Sequence, residues 1–142
     1  MVQIWIYNHR SKRVEKYERA LGESMPYIEN DSLTVDEFRG SSKSNLLWSD
    51  LRFLQTWNAF RRFYNRPIPV GYCFKRIWEG GHGSQSQHYA GGAFDCGQAL
   101  SADARDALYR SAVAFGEWSY VEPQFMTPTW VHFDKRLTPP AC

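Results

Sequence analysis

The chain has 142 residues, of which 43% are hydrophobic and 16% aromatic, enough apolar surface to bury one core and to exclude a disordered chain. Its formal net charge is only +2, and no run of like charge resembles a nucleic-acid-binding tail, so we expect no nucleic-acid partner. No stretch approaches the roughly 18 apolar residues of a membrane span. The short apolar start does not fit a signal peptide, so we expect synthesis in the cytoplasm. We also expect a monomer.

The N-terminal residues predict a β-hairpin. Residues 3–7 (QIWIY) are β-branched or aromatic and alternate, which is typical of a strand. Residues 13–20 (RVEKYERA) are predicted to return as a second strand, with a short helix as the alternative. We therefore expect residues 1–32 to form an extension, a hairpin packed on the domain that follows.

Three helices are predicted. Thr34 is a possible N-cap before two acidic residues, which predicts a short helix there. Residues 46–64 carry apolar side chains at spacings of three and four, which predicts one long amphipathic helix. Ser101 is predicted to cap a further helix that runs to Phe115 and stops at Gly116.

Strands are predicted between and after these helices. Residues 68–74 (IPVGYCF) predict a buried strand, a glycine-rich loop covers 79–87, and residues 88–97 turn into the next strand. Residues 118–122 and 129–136 predict two strands joined by a Pro-containing loop, as in a hairpin. This mixture predicts an α+β fold, with a mostly antiparallel sheet and flanking helices.

Three side chains in these segments have the chemistry of a metal site. His88 and Asp95 are separated by a turn that contains Gly91, whose freedom lets both side chains face one cavity. His132, in the last predicted strand, adds a third ligand. Two histidines and one carboxylate leave a fourth position for water, which is typical of catalytic zinc. The alternative is an exposed histidine beside a glycine turn and a histidine satisfied within the core.

The segment from Ser86 to Asp95 fits the pattern S-x-H-x-x-G-x-A-x-D at all five fixed positions. It resembles the zinc D-Ala-D-Ala carboxypeptidase and L-alanyl-D-glutamate endopeptidase family, which cleaves peptidoglycan peptides. Residues 128–136 (PTWVHFDKR) resemble the terminal strand of that family. The resemblance covers residues 33–136, with 137–142 as a tail, and it implies the small hedgehog/DD-peptidase fold with a zinc cleft on the sheet.

The resemblance also implies an activity and a ligand set. The activity is hydrolysis of peptidoglycan stem peptides by attack of a metal-bound water. His88, Asp95 and His132 would be the Zn²⁺ ligands, and Ser86 would lie in the substrate pocket. A protein of this kind would act on the cell wall once released, as a phage lysin or after non-classical export.

One departure from the family pattern concerns the general base. Many members carry a Glu or a His three residues before the last ligand, and Thr129 stands at that place. Asp134 shares a strand face with His132 and is the candidate base, although the family pattern favours an orienting role for it. Glu122 is a further candidate if the last two strands form a hairpin.

A second departure concerns substrate binding. Many members carry an arginine after a Gly-Tyr pair, to hold a carbonyl or carboxylate of the substrate. Here Gly71 and Tyr72 are followed by Cys73, so we expect Lys75 to supply the positive charge and Tyr72 to contact the substrate. The two departures leave an alternative function, a weak or inactive family member that binds cell-wall peptide.

Overall fold

A computed structural model describes residues 1–74 and 87–136 of the chain. Within those ranges the chain forms two sheets, three α-helices and a short 3-10 helix. The elements in chain order are β1 (Val2–Asn8), β2 (Arg13–Arg19), α1 (Val35–Arg39), β3 (Leu46–Asp50), α2 (Leu51–Tyr64), β4 (Val70–Tyr72), the 3-10 helix (Gln87–Ala90), β5 (Ala93–Cys96), α3 (Ala102–Phe115), β6 (Tyr120–Val121) and β7 (Val131–Asp134). None of the helices in the described ranges is long and apolar enough to cross a membrane.

The N-terminal sheet has the strand order β2-β1-β3. β1 pairs antiparallel with β2, so the first two strands form a hairpin and the returning segment is a strand rather than a helix. β1 also pairs parallel with β3, which places Ile6 beside Ser49. Alternate residues of β1 (Val2, Ile4 and Ile6) are buried, as the period of two predicts.

The second sheet has the order β4-β5-β7-β6, and all its strand pairs are antiparallel. Phe94 and Phe133 lie opposite each other on β5 and β7 and are fully buried. Asp95 and His132 are also opposite each other, and they face the other side of the sheet because side chains alternate along a strand. The predicted α+β class with antiparallel-rich sheets is thus confirmed.

The prediction of one helix over residues 46–64 is wrong for its first five residues, which form β3. Their apolar side chains fit a helix or a strand, and pairing with β1 decides for the strand. Asp50 then caps α2, since its carboxylate accepts a hydrogen bond from the Arg52 amide at 2.8 Å. The other helix limits agree with the sequence: Thr34 caps α1, and α3 runs from the Ser101 cap to Gly116.

Helix α2 contributes side chains to the one hydrophobic core that both sheets share. It begins directly after β3, and its aromatic side chains pack on the inner face of the second sheet. The rings of Trp57 and Phe53 lie 4.3 and 4.6 Å from the ring of Phe94, and Phe60 lies 5.2 Å from Phe133, between ring centroids. This aromatic layer holds β5 and β7 in place, and with them the polar side chains on the opposite face.

Candidate metal centre

The three predicted ligands come together. His88 on the 3-10 helix, Asp95 on β5 and His132 on β7 each offer one ligand atom, and these atoms all lie within 4.8 Å of one another. Asp95 and His132 meet because directly opposite residues of antiparallel strands share a face. The turn between the 3-10 helix and β5 brings His88 to the same place. The group could hold a metal ion, and its nitrogen and oxygen donors suit zinc and several other divalent metals.

The carboxylate of Asp95 lies between the two imidazoles. Its Oδ2 atom is 3.2 Å from Nε2 of His88, and its Oδ1 atom is 2.8 Å from Nδ1 of His132. Burial works against ionisation of Asp95, but the hydrogen bonds from His132 and His88 outweigh it and lower the pKa of Asp95 to about 2. Asp95 is therefore charged at neutral pH, as a carboxylate ligand would need to be.

Each histidine is held through its other ring nitrogen. Nδ1 of His88 donates to the carbonyl oxygen of Cys73 at 2.6 Å, so its Nε2 atom faces Asp95. Nε2 of His132 lies 2.9 Å from Oδ2 of Asp134, whose Oδ1 atom lies 3.0 Å from Nε of Arg136. Partners of this kind fix the orientation of ligand histidines in metal sites.

His132 lies between two carboxylates, and this sets its protonation. Burial alone would lower the pKa of His132, but its hydrogen bonds to Asp134 and Asp95 raise it to about 9. In the metal-free protein His132 is therefore protonated on both ring nitrogens, and positively charged, at neutral pH. A metal that binds there must displace one of these protons.

The contacts of Asp134 bear on its predicted role as general base. Asp134 is 1% exposed, and its side chain meets His132 on the side of the ring away from Asp95. Its Oδ2 atom lies against His132, and its Oδ1 atom forms an ion pair with Arg136 but has no hydrogen bond within the described residues. This position supports the orienting role, the alternative that the sequence had also left open.

Glu122 is a candidate base on the condition that the last two strands pair, and they do. β6 and β7 form an antiparallel pair, with Val121 opposite Phe133. The Glu122 amide donates to the His132 carbonyl at 3.0 Å, so Glu122 follows in register beside His132. Thr129, which stands where the resemblance would place a base, is exposed in the loop before β7. Glu122 thus extends the row formed by Asp95 and His132 across the sheet.

The predicted substrate residues are only partly described. Ser86 and Lys75 lie outside the described residues. Tyr72 ends β4, where its backbone pairs with Asp95. Cys73 follows it and is a free, fully buried cysteine, and burial raises the pKa of its thiol well above the usual value. The part of Cys73 that serves the site is its carbonyl oxygen.

Sequence reasoning missed two backbone supports of this site. One is the Cys73 carbonyl that holds His88. The other is β3, whose Ser49 hydroxyl donates to the Gly91 carbonyl at 2.7 Å. A backbone carbonyl leaves no mark in a sequence. Ser49 carried no signal either, because it falls inside the segment that was predicted to be helical.

No protein-family model matches the chain, and no curated protein or solved structure matches it. Function must therefore be inferred from the cluster itself and from the motif that surrounds His88.

Proposed function

We propose that the chain is a zinc-dependent peptidase that hydrolyses peptidoglycan stem peptides, of the D-Ala-D-Ala carboxypeptidase or L-Ala-D-Glu endopeptidase type. The observation that carries the proposal is the convergence of His88, Asp95 and His132, with ligand atoms within 4.8 Å of one another. The same three residues occupy the ligand positions of the motif. We further propose that the protein acts as a monomer with the hedgehog/DD-peptidase fold.

The donor set fits zinc at a catalytic site. Two imidazole nitrogens and one carboxylate oxygen are a common catalytic set, which leaves a further position for water or substrate. Both histidines have an outer hydrogen-bond partner, and Asp95 is ionised at neutral pH. A bound Zn²⁺ supplies Lewis acidity, which polarises a carbonyl and makes water acidic near neutral pH.

The protein groups around the cluster have distinct tasks in this proposal. Asp134, which pairs with Arg136, holds His132 in orientation. Glu122 lies next to His132 in the sheet and is our preferred general base. Tyr72, Ser86 and Lys75 are retained as proposed substrate contacts, on the resemblance to the family.

An alternative is a module that keeps the metal and binds cell-wall peptide without cleaving it. Two observations favour it. Thr129 occupies the place of the usual base, and Asp134 is committed to His132 and Arg136. The role of Glu122 distinguishes the two functions. An enzyme needs a group that accepts a proton, whereas a binding module does not.

The proposal is tested by digestion of purified muropeptides with zinc-loaded protein, with and without a chelator, followed by mass spectrometry. A chelator-sensitive mass loss is expected, and the mass of the product identifies the cleaved bond. The His132→Ala variant is the control for a contaminating peptidase and should give no product. If the wild-type protein binds one zinc per chain and gives no product, the peptidase is excluded and the binding module is favoured.

A further inference from the structure

We propose that Ser49, a residue of the N-terminal sheet, is a positioning residue for the metal ligands. The inference rests on the proposed metal site and adds a part that the motif does not contain. The segment from residue 87 to residue 95, which carries His88 and Asp95, is called the metal loop below. Ser49 acts through the backbone of Gly91, to which its hydroxyl donates a hydrogen bond.

The contact between Ser49 and the metal loop is short and buried. The Ser49 hydroxyl donates to the Gly91 carbonyl oxygen at 2.7 Å, across 42 positions of sequence. Ser49 is 6% exposed, and Gly91 is buried. A buried carbonyl that loses its donor is costly, because water does not replace the hydrogen bond. The loop backbone is therefore held at this distance from β3.

Gly91 allows this close approach. Its φ is +69°, a left-handed conformation that favours glycine. A Cβ atom there would lie 2.0 Å from the carbonyl oxygen of Trp48 and 3.2 Å from Cα of Ser49. The metal loop thus rests directly on the backbone of β3, and the Ser49 hydrogen bond fixes its position along that strand.

The position of Gly91 determines the position of His88. The Gly91 amide donates to the His88 carbonyl at 3.1 Å, and the Gly92 amide donates to the Gln87 carbonyl at 2.9 Å. These bonds close the turn, so a shift of Gly91 moves the backbone that bears the imidazole. Within the described residues, the Cys73 carbonyl therefore holds the ring of His88, and Ser49 holds its turn.

β3 is a firm support for this purpose. It pairs in parallel register with β1, where Ile6 lies beside Ser49, and α2 begins directly after it at the Asp50 cap. A ligand set held on a rigid element binds metal more tightly, because less ordering is left to be done on binding. The N-terminal sheet, which the motif does not cover, thereby becomes part of the metal site.

The test compares Ser49→Ala with the wild-type protein in its affinity for Zn²⁺, measured by competition with a chromophoric chelator. We expect an affinity loss of about 10-fold, the lower end of the range found for groups that bond a ligand directly, because Ser49 acts through the backbone of Gly91. The Co²⁺ absorption spectrum should also change, because His88 is no longer held in place. A merely structural role would lower stability and leave this spectrum as it is.

Ser44→Ala is the matched control. Ser44 is also buried, at 3% exposed, and its hydroxyl donates to the Leu46 carbonyl at 2.5 Å, within the same part of the chain. This variant should lose stability in the metal-free state and keep the Zn²⁺ affinity and the Co²⁺ spectrum of the wild type. Ser49→Thr, which retains the hydroxyl, should restore most of the affinity.

The outcomes separate this inference from the proposed function. Wild-type Zn²⁺ affinity and an unchanged Co²⁺ spectrum in Ser49→Ala would overturn the inference alone. A wild-type protein that takes up neither metal would overturn both. If Ser49→Ala does not fold, Ser49→Cys retains the size with a weaker donor, and an affinity equal to that of the wild type would then refute the positioning role.

Discussion

The two sheets of the protein bury different kinds of side chain. The N-terminal sheet buries aliphatic groups such as Ile6 and Leu47, each 0% exposed. The second sheet buries Phe133 on its inner face. On its opposite face Asp134 is also buried, at 1% exposed, and so is His88 of the adjoining 3-10 helix, at 1% exposed. In the N-terminal sheet the strand-end carboxylate that is buried, Asp50, pairs with Arg52, whereas in the second sheet several buried ionisable groups contact one another.

This difference separates stability from chemistry. Buried ionisable groups cost free energy unless they are paired, and in the second sheet each imidazole finds a carboxylate or carbonyl partner. A substitution there leaves a partner unsatisfied and alters metal binding. A conservative substitution of a buried aliphatic residue in the N-terminal sheet, such as Ile6, only removes apolar contact. The predictions below test this separation, from the largest expected effect to the smallest.

The largest effect is expected from His88→Ala. Loss of a ligand should weaken Zn²⁺ binding by more than the roughly 100-fold that removal of an outer partner can cost, and turnover should be lost with it. The far-UV circular dichroism should stay close to that of the wild type, because the aromatic core does not include this side chain. Chelator competition and circular dichroism on one sample measure both quantities.

The control for His88→Ala is Ile6→Val in the N-terminal sheet. It should lower the free energy of unfolding by roughly 0.5–1.5 kcal/mol and leave the Zn²⁺ affinity unchanged. If His88→Ala instead unfolds, the metal cluster is needed for the fold and the separation between the two sheets does not hold.

The next effect concerns the two candidate bases. Glu122→Gln should lower turnover by roughly 10²- to 10⁴-fold with the zinc content unchanged, since a general base contributes that much. Asp134→Asn should instead lower Zn²⁺ affinity, by roughly 10- to 100-fold, because it orients His132. Steady-state rates and metal analysis of both variants distinguish the roles. Full turnover in Glu122→Gln, with turnover lost and zinc retained in Asp134→Asn, would assign the base to Asp134.

The smallest expected effect, counted per pH unit, is the change of Zn²⁺ affinity with pH. The pKa of His132 is raised to about 9 by its two carboxylates, against the effect of burial, so the metal-free protein holds that proton below pH 9. Zn²⁺ must displace it, and affinity should therefore weaken by about tenfold for each pH unit from 9 down to 7. Calorimetry in two buffers of different ionisation enthalpy measures the released proton. A flat affinity over this range would show that His132 is neutral before the metal binds.

Sequence reasoning singled out the three candidate ligands because the signal of each is local. His88 and Asp95 are separated by a short turn, and His132 lies in a strand with a clear alternation. The caps of α1 and α3 were found for the same reason, since Thr34 and Ser101 act on amides two or three positions ahead. Each of these features depends on residues that are neighbours in the chain.

The parts that sequence reasoning missed depend on contacts between distant segments. Leu47, Leu51 and Leu54 are spaced as on a helix, and only the edge of β1 turns the first of them into part of a strand. The bond from Ser49 to Gly91 then follows from that strand. Apolar periodicity does not show which strand will offer an unpaired edge for another strand to join. Because β3 was assigned to a helix, the support that Ser49 gives to the metal loop was missed as well.

The parallel pairing of β1 with β3 has a consequence for the order of folding. β1 and β2 are joined by a short turn and can pair early, but β3 must wait for the crossover that runs from Ala20 to Asn45. Because the metal loop rests on β3, we expect the ligands to assemble only after this slower pairing. Zn²⁺ would then be captured by a nearly finished structure, and stopped-flow refolding should proceed at the same rate with or without the metal.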